Sequence, residues 1–339
     1  MIAPMLMTMN LLVGADVFAA VPAAEWDALA EGSMTDTPFQ RHAYQQAWWK
    51  HLGVGELYTV VVRDGQDKLI GLAPFYVQDG VVQLNASKEE SDYLDIITKA
   101  EDAEVVWTAV LDCLCSEAFP AWQALDCHCI PSASPTLQIL PRLADGRGFV
   151  LSTAEEEVCP IIPLTGDFEE YLASIDKKQR HEIRRKMRKA EGNGGELEVI
   201  GKGDDLPAAV DDFLRLLQLS MQEKADWLTD GRRALFHEVA QAALAADMLQ
   251  LMFMRVDGRR YSALFNFVYH NRTWVYNSGL DMREHDNLSL GVVLSSNAIQ
   301  LAAEAGFSEF DFLRGNETYK YRFGAHDTHI YRMEMRKEG

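Results

Sequence analysis

One stretch constrains the fold more than any other: MLQLMFMRVDGRRYSALFNFVYHNRTWVYNSGL, residues 248–280. Three runs of apolar and aromatic residues are separated by Asp257-Gly258 and by His270-Asn271. Such pairs suit the tight turns of hairpins. The spacing predicts a three-strand antiparallel meander. A second hairpin is predicted in ELYTVVVRDGQDKLIGLAPFYV, around Asp64-Gly65, with VVQLN as the strand after it. Hairpins of this kind argue against a doubly wound parallel sheet.

The remaining pattern places helices between these sheets. AAEWDALAE, YQQAWWKHLG and EDAEVVWTAVLDCLCSEAF have helical spacing in the first half. WQALDCHCI reads as a strand and PSASPT as a loop. Near residue 160 the order starts again. VCPIIPL and LEVI are strand-like, and DFEEYLASI, KQRHEIRRKMRKAEG, LPAAVDDFLRLLQLSMQEK and ALFHEVAQAALAAD are helical. SLGVVLSSNAIQLAAEAG is a further helix, with a Ser before its first turn and Gly306 after its last. EFDFL and THIYRMEM close the chain as strands. The expected fold class is α+β, with mixed, mostly antiparallel sheets flanked by helices. A length of 339 residues suits two domains. Their expected bounds are 1–158 and 159–339, with the last strand a candidate for return to the first domain.

Charge narrows the partners. The net charge is −19, with 8 Lys and Arg against 23 Asp and Glu in residues 1–160, and 24 against 28 in residues 161–339. So acidic a protein is a poor general binder of DNA. The apolar start, MIAPMLMTMNLLVG, has no preceding base or cleavage site and is too short to span a bilayer. Its end is expected to form a first strand, and the protein is expected in the cytoplasm. Cys113 and Cys115, like Cys127 and Cys129, are spaced too closely for a structural zinc site. They are read as small packed side chains, with no metal.

Three constellations carry candidate chemistry. DKKQRHEIRRKMRKAE (176–191) concentrates bases in an acidic chain. On a helix, Ile183, Met187 and Ala190 share one face, Arg180, Arg184 and Arg188 form a row beside it, and Lys178, Arg185 and Lys189 lie further round. Such a run is often only a solvated face; here an anionic ligand would relieve its self-repulsion. DNLSLGVVLSS (286–296) opens a helix with Ser289 and Gly291, leaving backbone N–H groups for a phosphate, although Ser289 serves equally as a plain N-cap. FDFLRGNETYKYRFGA (310–325) runs from a strand ending at Asp311 through Arg314-Gly315 to Tyr319-Lys320, where surface ion pairing is the plainer alternative.

With EWDALAE, PFQRHAYQQAWW, LIGLAPFYV and SDYLDIIT, these segments resemble the FemAB-like branch of the GNAT acyltransferases, particularly bacterial acetyltransferases associated with cellulose and exopolysaccharide biosynthesis. The resemblance implies tandem GNAT-like domains. It implies transfer of an acyl group, from acetyl-CoA, another acyl-CoA or an aminoacyl-tRNA (the less favoured donor), to an amine or hydroxyl of a sugar- or peptide-type, cell-envelope acceptor. It places the donor's phosphates at Ser289, Leu290, Gly291 and Val292, and Lys320 near the reacting groups. In the mechanism expected from it, Asp311 is a candidate base, Tyr319 the proton donor to the leaving group, and Lys320 a charge stabiliser. Backbone N–H groups near Tyr276–Gly279 would serve the oxyanion. Arg180, Arg184, Arg185 and Arg314 are the candidate anion-binding residues. Replacing Lys320 with Ala is expected to lower turnover and leave the fold intact. A non-catalytic FemAB-like binding module is the alternative class.

Overall fold

A computed structural model describes residues 7–337. Residues 1–6, the start of the apolar N-terminal segment, lie outside the described residues. In chain order the elements are β1 (Thr8–Val13), α1 (Val17–Ala20), α2 (Ala23–Ala30), α3 (His42–Leu52), β2 (Glu56–Arg63), β3 (Leu69–Gln78), β4 (Val81–Leu84), β5 (Ile97–Thr98), α4 (Ala103–Leu114), β6 (Ala124–Pro131), α5 (Thr136–Asp145) and β7 (Phe149–Pro163). They continue with α6 (Phe168–Ser174), α7 (Lys177–Glu191), β8 (Glu196–Val199), α8 (Leu206–Ser220), α9 (Gln222–Trp227), α10 (Asp230–Ala245), β9 (Leu249–Val256), β10 (Arg259–Tyr269), β11 (Arg272–Leu280), α11 (Leu290–Glu304), β12 (Glu309–Asp311), α12 (Thr318–Arg322) and β13 (His326–Lys337). Contacts divide the chain into two compact units, Met1–Glu157 with His329–Gly339, and Val158–Thr328.

In the first unit the strand order is β1-β2-β3-β4-β6-β13, with β5 on β3. All pairs are antiparallel except β4–β6. Its core gathers Trp26, Leu57, Val61, Leu72 and Ile97. Two polar networks are built into it. Asp95 is fully buried and accepts from Ile96 N (2.8 Å), Thr136 Oγ1 (2.9 Å), Thr35 Oγ1 (3.3 Å) and Ser134 Oγ. Burial pushes its carboxyl up to about 6 despite these donors. His128 lies between Asp126 and Glu156, and Arg332 holds Asp126 with two bonds of 2.7 and 2.8 Å.

The second unit is ordered β7-β12-β11-β10-β9-β8. The predicted meander is β9–β10–β11, antiparallel throughout, with a bulge at Phe265/Asn266. α11 then carries the chain across to β12, which pairs parallel to β11 and antiparallel to β7. Side chains alternate across these strands. Met252, Met254, Leu264 and Val275 face Tyr171, Leu172, Ile183, Leu294 and Ile299 of α6, α7 and α11. On the opposite face Phe265, Phe267 and Tyr276 pack with Phe213 of α8 and Phe236 of α10, rings 5.2–5.8 Å apart. Gly279 is required in β11 because α8 touches it there. A Cβ on Gly279 would lie 2.5 Å from Leu217 N.

Side chains cap the starts of α6, α7, α8 and α10 in this unit, while α9, α11 and α12 have no side-chain cap. Asp167 and Glu170 form a capping box on α6, Asp176 caps α7, Asp205 caps α8 and Thr229 caps α10. The helix LPAAVDDFLRLLQLSMQEK is not continuous as predicted. It ends at Ser220, Met221 is extended, and α9 starts afresh.

Candidate active site

The candidate site begins where β11 and β12 part. They pair only at Arg272–Glu309, Thr273–Phe310 and Trp274–Asp311. β12 ends at Asp311, while β11 runs on to Leu280. From Val275 onward β11 has no β12 partner, which opens backbone to a ligand at that edge.

The turn that follows β12 is held from inside. Asp311 is 2% exposed and its Oδ1 accepts from Leu313 N at 2.7 Å. Leu313 has φ +56°, a left-handed conformation that a leucine adopts only when its surroundings impose it. Lys320, also 2% exposed, donates through Nζ to the carbonyls of Leu313 (3.2 Å), Arg314 (2.5 Å) and Gly315 (2.9 Å), and pairs with Glu317 at 2.9 Å. A lysine has three N–H donors. Those of Lys320 are committed to this turn, so its removal is expected to destabilise the turn as well as to affect turnover. Arg314 enters the geometry through its carbonyl. Tyr319 is 37% exposed and packs edge-on against Phe312. Burial of its hydroxyl and the nearby Glu317 charge hold its pKa above the usual tyrosine range. Its phenol is therefore protonated at neutral pH.

The start of α11 is the second part. Ser289 precedes it with φ +55°, ψ +45°, and no side chain caps the helix. The expectation that Ser289 serves as an N-cap through its hydroxyl is not met. Leu290, Gly291 and Val292 form the first turn, and with Asp281, His285 and Ser289 they line a cavity of 210 Å³. Lys189 Nζ donates to Asn287 O at 2.8 Å, which ties α7 to the loop before α11.

A cleft of 300 Å³ is the third part. It lies against Val292 and is lined by Lys178, Gln179, Glu182, Ile183 and Lys186 of α7 and by Tyr319, Arg322 and Phe323. The structure thus brings Tyr319 and the first turn of α11 together with α7. The arginines singled out in the sequence are placed differently. Arg184 pairs with Glu169. Arg185 is exposed and binds Glu182 through bonds of 2.9 and 2.6 Å. Arg180 is half-buried, with Nε enclosed and without an acceptor. The cations of the cleft are Lys178, Lys186 and Arg322 instead. Lys178, Glu182 and Lys186 fall at four-residue spacing, a row as legible in the sequence as the arginine row. What singled out the arginines was the resemblance of charge, not the face that α7 turns to α11.

Comparison with known proteins bears on the fold. Residues 177–321 match the family model described as Acetyltransferase (GNAT) domain. Over these residues the chain is similar to a GNAT domain. The match runs from α7 into α12 and contains the candidate site apart from Arg322 and Phe323 of the cleft. Among solved structures, FemX superposes with a TM-score of 0.67 at 13% identity, over 92% of this chain and 96% of FemX. L-PGS from Bacillus licheniformis gives 0.59 at 9% identity, over 94% and 93%. A tandem GNAT protein from the clavulanic acid biosynthesis pathway gives 0.50 at 12% identity, over 97% and 98%. At such identities the likeness is one of fold: an α+β, FemAB-like GNAT fold. No curated protein matches the sequence. Among the described residues no helix is long and apolar enough to cross a membrane.

Proposed function

We propose that the protein is an acyltransferase whose second unit moves an acyl group from a CoA thioester to an amine or hydroxyl of a sugar- or peptide-type acceptor, such as a cell-envelope or exopolysaccharide precursor, in the cytoplasm. The observation that carries the reading is the uncapped start of α11, set beside a cationic cleft and beside the opening between β11 and β12. Free backbone N–H groups and the helix dipole at such a start favour phosphate.

The residues present fit an acyl-CoA. Leu290, Gly291 and Val292 would meet its pyrophosphate through backbone N–H groups, and Lys178, Lys186 and Arg322 would meet its remaining phosphate charge. The donor supplies an activated carbonyl. The chain's own tasks are to orient that carbonyl, to stabilise its oxygen as charge develops, and to move one proton. The part of β11 that runs on beyond β12 is the candidate oxyanion support. Within the Tyr276–Gly279 stretch, Ser278 N donates to Asn277 Oδ1 at 3.1 Å. Tyr319, held protonated beside the cleft, suits proton delivery to the leaving group. Asp311 and Lys320 keep the turn after β12 in place, so their contribution is first to position Tyr319.

The second reading is an aminoacyl-tRNA donor. It is favoured by the single glycine in DNLSLGV, which makes a less enclosing phosphate cradle than a glycine-rich loop, and by the lysylphosphatidylglycerol synthetase domain from Agrobacterium fabrum among the structural neighbours, with TM-score 0.57 and 11% identity. Calorimetry with acetyl-CoA separates the two. Micromolar binding, weakened by Lys178→Ala with Lys186→Ala, supports the CoA reading. Absence of acetyl-CoA binding with retention of aminoacyl-tRNA moves the assignment to the second. Binding of neither donor points to a non-catalytic module.

A further inference from the structure

One half-buried titratable group beside the site has no place in the roles above. Lys224 lies on α9, the six-residue helix that restarts after Met221. Its Nζ donates to Ser278 O at 2.8 Å and to Asn277 Oδ1 at 3.3 Å. Both acceptors belong to the part of β11 that β12 no longer covers. The chain breaks at Met221 before α9, and from this restarted helix Lys224 reaches β11 while staying half-buried. Across the opening, Glu317 and Lys320 are the charges that act on it.

We propose that Lys224 is the proton-transfer residue of this acyl-transfer centre, taking the acceptor's proton at the open edge of β11. The proposal rests on the acyl-CoA reading given above. The acceptor's nitrogen or oxygen bonds to the acyl carbon. The carbon–sulfur bond breaks, and its electron pair leaves on sulfur. The proton lost by the acceptor passes to neutral Lys224 Nζ, and from there or through Tyr319 to the sulfur. A lysine can take that proton only if part of its population is neutral near pH 8. Burial lowers Lys224 from 10.5 to about 8; Glu317 opposes the change and Lys320 adds to it. Asp311 has one oxygen already on Leu313 N. Lys224, with acceptors on β11 alone, is better placed to exchange a proton with a ligand at that edge.

The test is competitive labelling of the full-length protein with trace acetic anhydride between about pH 6 and pH 11, read at each lysine by peptide mass spectrometry. The neutral amine reacts, so the profile of each lysine reports its own titration. Lys224 is expected to titrate at about 8, against 10.5 for an unperturbed lysine, and Glu317→Gln is expected to lower its midpoint further. CoA at ten times its Kd is expected to slow labelling of Lys224 about tenfold, the fraction of protein left free. A Lys224 midpoint alongside the exposed lysines overturns the proposal. So does CoA that binds by calorimetry and leaves Lys224 labelling unchanged, an outcome that spares the CoA reading. CoA that does not bind the wild type overturns the CoA reading, and the proposal falls with it.

Discussion

Replacement of Lys320 by Met keeps the length of the side chain and removes its ammonium. Three carbonyls then lose their donor. Leu313 is buried, so its carbonyl has no water at hand; an unsatisfied buried acceptor costs about 1–3 kcal/mol. Arg314 and Gly315 are half-buried and recruit water, so each loses only the net value of its bond, about 1 kcal/mol. The ion pair adds little because Glu317 is 57% exposed. Part of the total is offset, because the desolvation of the ammonium itself disappears. The expected loss is about 2–4 kcal/mol, mostly from the carbonyls. Urea unfolding of Lys320→Met, with Glu317→Gln alongside, measures it; Glu317→Gln is expected within about 1 kcal/mol of wild type. A wild-type midpoint for Lys320→Met would refute the clamp. An equal loss in both variants would transfer the effect to the ion pair. The consequence for mechanism is direct: loss of activity in a Lys320 variant counts as chemistry only if the turn is shown intact.

Gly279→Ala places a Cβ 2.5 Å from Leu217 N and 2.6 Å from Leu216 C, so α8 and β11 must separate; overpacking of this kind costs about 1–3 kcal/mol or more, read as a lowered Tm. Asp95→Asn is expected to flatten the pH dependence of stability. The folded-state pKa of Asp95 is raised from 3.8 to about 6, so the stability tied to its neutral form is fully present below about pH 4 and is lost as pH rises through about 6. That difference corresponds to about 3 kcal/mol, seen by comparing wild-type and variant unfolding across this range. In the cleft, Lys178→Ala with Lys186→Ala is expected to weaken CoA binding at least about tenfold, since a charge-assisted hydrogen bond contributes about 1.5–3 kcal/mol. Arg185→Ala, which faces solvent on Glu182, is expected to change it less than about threefold.

Periodicity made the second unit legible where one rule governs a whole element. The β9–β10–β11 meander has turn pairs and alternation, α11 has a long apolar stripe, and α7 has charge on one side and Ile183 on the other. Three things were not legible. α5 follows the PSASPT loop and contains Pro141, so local propensity argues against the helix that tertiary packing of Leu140 and Ala144 sustains. The early part of β7, LSTAEEE, is mostly exposed and gives no apolar alternation to read. The short helices α9 and α12 hide the most consequential side chains. A lysine in QEKADW reads as the solvated end of a long helix until the break at Met221 is seen, and Lys320 reads as a loop charge until its three carbonyl partners are seen. Which face of α7 meets the cleft depends likewise on its packing against α11, which no pattern within α7 encodes.

Amide hydrogen exchange with and without CoA tests the central claim most directly. The account predicts that CoA slows exchange at the first turn of α11, Leu290 to Val292, and in the cleft-facing part of α7, while the first unit is unchanged. CoA that binds without protecting Leu290 to Val292 would contradict the placement of the donor at that helix start.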